Sequence, residues 1–320
     1  MYIIQAYHYL HDWWRYAVGA VVIFFVSQLA ALPLVLAAMF KLMAEGGDIS
    51  MLEDPNQIMT ILDSNLTLFL MLLSFAVGLL ALWLWVKYLH KQPLKTLTTS
   101  RKKVDWGRIM FGFSLIAVVT IVMTVLDYYA NPQDYEVQFQ LVPFLILAII
   151  AILMIPLQTS FEEYLFRGYL MQGLGVIAQN RWVPLVVTSV VFGGLHFFNP
   201  EVGKLGPIIM LYYIGTGFFL GIITLMDEGM ELALGFHAGN NLIAALLVTA
   251  DWTVFQTNSI LKDVSEPSAG FDVLAPVLIV YPIFIALMAW RYKWTGWNEK
   301  LFGKIYPPPE PSEPVSPSQS

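Results

Sequence analysis

The chain contains no cysteine, which excludes disulfides, thiolate metal sites and a cysteine nucleophile. Charge is nearly as scarce: Asp, Glu, Lys and Arg supply 12% of the 320 residues, about half the roughly 25% of an ordinary globular domain. There is no internal repeat and no glycine-rich phosphate loop, and nothing points to nucleic-acid binding. The N-terminal "MYIIQAYHYLHDWWRYAVGA" lacks a basic n-region and a small-residue cleavage site, so the first apolar segment is expected to be retained.

What remains is oil. Hydrophobic residues make up 58% of the chain, and apolar runs near membrane-spanning length fall at 16–39, 66–89, 108–129, 144–170, 183–199, 207–226, 231–250 and 272–291. The expected fold is all-α, a polytopic transmembrane helix bundle of about eight spans in the lipid bilayer. The fifth span is short and the fourth longer than a bilayer needs, which tilt or a kink would absorb. With the N-terminus inside, the inner segments hold 14 of the 17 lysines and arginines. The positive-inside rule then places both termini in the cytoplasm, in the plasma (inner) membrane, with a cleft expected to open to the cytoplasm. The inner loop "KQPLKTLTTSRKK" reads as a positive-inside anchor against anionic headgroups. The divisions are 1–140, N-terminal helices with this loop; 141–250, helices bearing the polar residues; 251–306, an outer loop and the last helix; and 307–320, a Pro/Ser-rich tail expected to be disordered.

Polar residues at membrane depth are costly, about 2.5–3.5 kcal/mol for a charge at a span's centre, and tend to be paired or functional. "SFEEYLFRGYL" places Glu162, Glu163 and Arg167 in the fourth span. Glu163 and Arg167 are i and i+4 with the acid N-terminal, the better orientation for a pair. Glu162 is turned about 100° from Glu163 and has Phe166 at its own i+4 position, so one acid has a partner in the helix and the other does not. Two of the five histidines also fall in spans, His196 in "VFGGLHFF" and His237 in "LGFHAGNN". His237 and Asn241 share a helix face. Gly235 with Gly239, Gly217 with Gly221, and Gly193 with Gly194 are the small residues that let helix backbones approach and gather such groups.

Glu162, His196, His237 and Asn241 include no obvious nucleophile with a base beside it, and Ser160 and Thr159 rank low. Water is the natural nucleophile. A buried carboxylate helped by an imidazole can take its proton, and a second imidazole with an amide can hold a carbonyl oxygen as it becomes an oxyanion. This is the chemistry of amide or ester hydrolysis within the membrane.

"EEYLFR", "FGGLH" and "HAGNN", in that order on three polar-bearing spans, resemble the motifs of the CPBP family, the CAAX-protease and bacteriocin-processing membrane proteins, similar to the Ras-converting endopeptidase of eukaryotes. The resemblance covers about residues 140–250. It implies that Glu162 and His196 activate water, that His237 and Asn241 stabilise the oxyanion, and that Glu163 and Arg167 support them. It also implies a membrane-associated protein or peptide substrate, in some relatives a prenylated CAAX-type C-terminus. Alternatives are a non-enzymatic immunity or scaffold protein and a proton-coupled transporter; the latter predicts repeats that are absent. As a zinc site, Glu162, His196 and His237 would be the ligands. Counting residues favours the metal-free reading, in which no cofactor is required and Glu162 is the general base.

Overall fold

The computed structural model describes residues 1–267 and 270–308; the tail expected at 307–320 lies outside them from residue 309 onward. In lipid every backbone N–H and C=O must be satisfied within the segment, so the apolar runs fold as helices. Helix α1 (Trp13–Leu29) and α2 (Leu32–Glu45) form one interrupted crossing that ends on Gly46 in the left-handed conformation, φ 69°. Helix α3 (Ser64–Trp85) starts on Asp63, whose side chain accepts from the N–H groups of Asn65 and Leu66, satisfying two of the donors a helix start leaves over. Helix α4 (Trp106–Ala130) starts likewise on Asp105. Helix α5 (Leu141–Glu163) contains Pro156 and runs through a π-helical segment, Tyr164–Leu170, into α6 (Met171–Ala178). Then come α7 (Trp182–Gly194), closed by a 3-10 turn at Leu195–Phe198, α8 (Ile209–Asp227), α9 (Glu231–Leu247) and α10 (Tyr281–Tyr292).

Six helices among the described residues are long and apolar enough to cross a membrane. The first is longer than expected, Trp13–Glu45, and the fourth reaches 38 residues, Leu141–Ala178. The other two expected spans fall short for different reasons. Trp182–Phe198 is apolar but brief; α9 has 17 residues and carries Glu231, His237, Asn240 and Asn241, which lower its hydropathy.

The loops bearing most of the lysine and arginine meet at one end of the bundle, the basic end. Met230 N–H donates to Thr98 O (2.9 Å) and Arg181 N–H to Gly303 O (3.1 Å). Arg101 bridges Asp227 (2.7 Å) and Glu231 (3.0 Å). The segment expected to be only a surface anchor is folded inward: Thr96, Leu97, Thr98 and Thr99 are buried, while Lys91, Lys95, Lys102 and Lys103 stay exposed. Tyr2 is buried beneath it, its hydroxyl donating to Leu97 O at 2.6 Å and lying 2.9 Å from Arg167 O, and its N–H bonded to the Glu228 carboxylate. The opposite, far end carries a small sheet that the all-α expectation did not include. Its central strand β3 (Leu261–Asp263) pairs antiparallel with β1 (Tyr135–Val137) and parallel with β2 (Val248–Thr249).

Small residues set the helix spacing. A methyl at Gly235 would land on the Ile109 carbonyl of α4, and one at Gly239 would lie 2.8 Å from Phe113 O. These two glycines therefore seat α9 on α4 rather than on the other motif-bearing helices. Gly217 does bring motif helices together, packing on the Ser189 backbone of α7, as does Gly193 against Ile214 of α8. Gly194 differs from its neighbour, for a Cβ there would meet nothing within 4 Å.

Candidate active site

Four helices deliver the polar groups. The expected pair is formed: Arg167 Nη1 lies 3.0 Å from Glu163 Oε1, with both side chains fully buried. The same oxygen is 2.8 Å from His237 Nδ1 on α9. The second donor edge of Arg167 reaches Gly217 O on α8 at 3.1 Å, and its guanidinium lies 4.3 Å over the ring of Phe192 on α7. One ion pair thus ties together the π segment, α7, α8 and α9.

Glu162 faces the other side of His237, its Oε2 standing 3.4 Å from Nε2. It is not the unpaired carboxylate that its i+4 neighbour Phe166 suggests. Its partner lies one turn earlier, where Gln158 donates to Oε1 at 2.7 Å. Gln158 in turn accepts from Asn241 Nδ2 at 3.1 Å, and Asn241 accepts from Asn240 at 3.0 Å. A chain of three amides therefore fixes one oxygen of Glu162 and leaves Oε2 turned toward the imidazole.

His196 sits apart. Its Nδ1 bonds Phe192 O at 2.8 Å, which is the tautomer-fixing contact that leaves Nε2 with a lone pair. Its ring stacks on Tyr213 of α8, centroids 4.3 Å apart and planes 21° from parallel. The Phe192 ring neighbours both imidazoles, 5.0 Å from His196 and 6.0 Å from His237. All six residues expected from the sequence thus lie in one neighbourhood, with Glu162, Glu163, Arg167, His237 and Asn241 in a continuous hydrogen-bonded and ion-paired set and His196 beside it. Gln158, Asn240, Phe192 and Tyr213 were not anticipated. Gln158 carried a usable signal, being a polar side chain one helical turn before Glu162; Tyr213 carried none in its apolar run.

As a zinc site the set is incomplete. The 3.4 Å between His237 Nε2 and Glu162 Oε2 matches the edge that two ligands with bonds of about 2.0–2.1 Å would span on a tetrahedron. Yet among the described residues no group of three His, Cys, Asp or Glu side chains is gathered to hold an ion.

Residues 138–243, which contain every group named above, match the family model described as Type II CAAX prenyl endopeptidase Rce1-like. Over this third of its length the chain is similar to Rce1-like endopeptidases. A Bacillus subtilis (strain 168) protein described as "Uncharacterized protein YyaK" is 28% identical over 232 residues, 72% of this chain and 77% of its own length. No solved structure matches the chain. The matched segment begins just before α5 and ends within α9, so α1 to α4 and α10 lie outside it.

Proposed function

We propose that this chain is an endopeptidase of the plasma membrane, with the basic end in the cytoplasm, that hydrolyses a peptide bond of a membrane-associated substrate using water activated by Glu162 and His196. The observation that carries this reading is the set Glu162–His237–Glu163–Arg167, four ionisable groups in mutual contact among apolar helices, all but Glu162 buried, where unneeded charge is costly.

Proton accounting assigns the roles. Glu163 is a pure acceptor toward His237 Nδ1, so that nitrogen carries a hydrogen. The role proposed for His237 needs a second hydrogen, on Nε2, which faces Glu162. At 3.4 Å the Nε2–H contact is longer than a good hydrogen bond, so it is open to a better acceptor. The developing oxyanion of a scissile carbonyl is such an acceptor. Asn241 contributes the amide hydrogen that Gln158 does not occupy. Glu162 Oε2 takes the proton of a water oriented by the Nε2 lone pair of His196. The hydroxide adds to the carbonyl carbon, the C–N bond breaks, and Glu162 returns the proton to the departing amine.

The test is turnover in proteoliposomes with a farnesylated CAAX-type peptide and its unprenylated counterpart, products being read by mass spectrometry. Glu162→Gln and His196→Ala should each lower the rate by about 10²–10⁴-fold with unchanged abundance and elution. Wild-type turnover by Glu162→Gln would overturn the mechanism, and normal cellular function of that variant would favour a non-enzymatic scaffold.

A further inference from the structure

His196 stands at the end of α7, where the helix tightens into the 3-10 turn Leu195–Phe198. Its ring bonds Phe192 O through Nδ1 at 2.8 Å. That contact fixes one ring atom and leaves the ring able to swing about the bond, which would carry Nε2, the nitrogen assigned to water, along an arc. A misplacement of about 1 Å in a reacting group can cost about 10²-fold in rate. The plane of the imidazole therefore needs a second constraint.

Tyr213 of α8 supplies it by closing one face of the ring. The centroids are 4.3 Å apart and the planes 21° from parallel, a stacked arrangement that is attractive in its own right. Phe192 meets the imidazole at a different angle, 56° at 5.0 Å. The backbone explains why the two stacked rings meet. A Cβ at Gly193 would stand 2.4 Å from Ile214 Cγ1 and 2.7 Å from Ile214 N, so glycine lets α7 rest on the backbone next to Tyr213. His196 follows Gly193 by three residues, a spacing that keeps both on one helix face. The close approach at Gly193 thus sets the imidazole on the tyrosine ring. The hydroxyl contributes less, because Asn199 Nδ2 lies 3.5 Å from it, longer than a good hydrogen bond.

We infer that Tyr213 is a positioning residue for the reaction: its ring holds the plane of His196 so that Nε2 points at the attacking water. This rests on the role proposed above for His196, and it adds a residue that lies outside the three polar motifs. Tyr213 touches no reacting atom in that scheme. Its loss should lower kcat rather than weaken substrate binding, and should matter only while His196 is present.

The test uses the farnesylated CAAX-type peptide in proteoliposomes, with kcat and KM separated by a substrate series. Tyr213→Leu should lower kcat by about 10- to 100-fold with KM little changed, and Tyr213→Phe, which keeps the ring, should recover most of that loss. In a His196→Ala background, assayed at high enzyme and long incubation, Tyr213→Leu should cost nothing further. Wild-type kcat in Tyr213→Leu, equal losses in the Leu and Phe variants, or an undiminished cost in the His196→Ala background would overturn the inference. A second measurement needs neither turnover nor a folded Leu variant. In wild-type protein labelled at its histidine and tyrosine rings, with signals assigned by their loss in His196→Ala and Tyr213→Phe, the His196 ring protons should show an NOE to those of Tyr213. Absence of that NOE would also overturn the inference. Wild-type kcat in His196→Ala would fail the mechanism itself, whereas loss of turnover there with full turnover in Tyr213→Leu would fail the positioning role alone.

Discussion

His237 Nδ1 and Arg167 Nη1 converge on one oxygen of Glu163, at 2.8 and 3.0 Å. The carboxylate is fully buried and its other oxygen has no hydrogen-bond partner. In the proposed mechanism Glu163 is a positioning residue: it holds His237 through Nδ1, and Arg167 holds Glu163. Removing one member of such a pair strands a charge in the interior, at a cost of about 3–5 kcal/mol. Glu163→Gln and Arg167→Met should each lower abundance and melting temperature sharply, and the double variant should cost clearly less than their sum. Additive effects in that cycle would show that the two side chains do not act as a pair.

Arg167 also depends on how closely α7 and α8 approach. Its Nη2 donates to Gly217 O at 3.1 Å, and a Cβ at Gly217 would stand 2.6 Å from Ser189 O and 2.9 Å from Ser189 Cα. Backbone cannot step aside as a flexible side chain can, so Gly217→Ala is expected to destabilise by about 1–3 kcal/mol, the usual range for overpacking. Gly194→Ala is the control. That position has ordinary helical angles, φ −59° and ψ −33°, and nothing within 4 Å of a Cβ, so its melting temperature should be unchanged or higher. Equal losses at the two positions would contradict this account of α7–α8 packing.

Much of this site is legible without coordinates because charge is conspicuous in an apolar helix. Glu163 and Arg167 announce themselves by helical spacing, and His237 with Asn241 by the same rule. Gln158 escapes because a neutral amide stands out less, although it fixes one oxygen of Glu162. Tyr213 escapes because an aromatic in an apolar run is indistinguishable from lipid-facing or core packing. Gly193 and Gly194 look alike in sequence, and only the packing of α8 against one of them separates a close approach from an idle position. The far-end strands have two or three residues each, too few to show a period of two. The burial of Thr96–Thr99 escapes for a related reason: the segment folds as a five-residue helix, Leu94–Thr98, too short to have an amphipathic stripe.

Glu201 supplies a pH-dependent prediction outside the spans. Its Oε1 accepts from Val254 N–H at 2.9 Å, its Oε2 is buried without a hydrogen-bond partner, and burial pushes its carboxyl above the ordinary value. A raised value in the folded state means that folding favours the protonated form. The contribution is most favourable below the unfolded value, near pH 4.3 or about pH 4, and is lost as pH rises through the folded one. At neutral pH the folded protein carries a poorly paired buried charge. Glu201→Gln, which keeps an acceptor for Val254, should therefore raise the melting temperature at neutral pH, with the gain shrinking toward about pH 4. A gain of the same size at both pH values would mean that the charge of Glu201 is not the cause.

Metal dependence turns on whether a third ligand is within reach. Glu162 Oε2 and His237 Nε2 are spaced as two zinc ligands would be, and each imidazole has its Nδ1 on a carbonyl or carboxylate oxygen, as metal-bound histidines commonly do. A catalytic zinc usually takes three protein ligands, and no such threesome is gathered among the described residues. Recruiting His196 would require its ring to leave the stack on Tyr213 and the bond to Phe192 O. Recruiting Glu162 would also commit the oxygen that the Gln158 contact leaves for proton transfer. The expected outcome is that protein stripped by a chelator, and shown by elemental analysis to hold no zinc, still cleaves its peptide substrate, whereas Glu162→Gln with or without added zinc does not. Loss of activity on chelation, restored by one equivalent of zinc, would make Glu162, His196 and His237 ligands and require that the α7 turn rearrange to bring His196 to the other two.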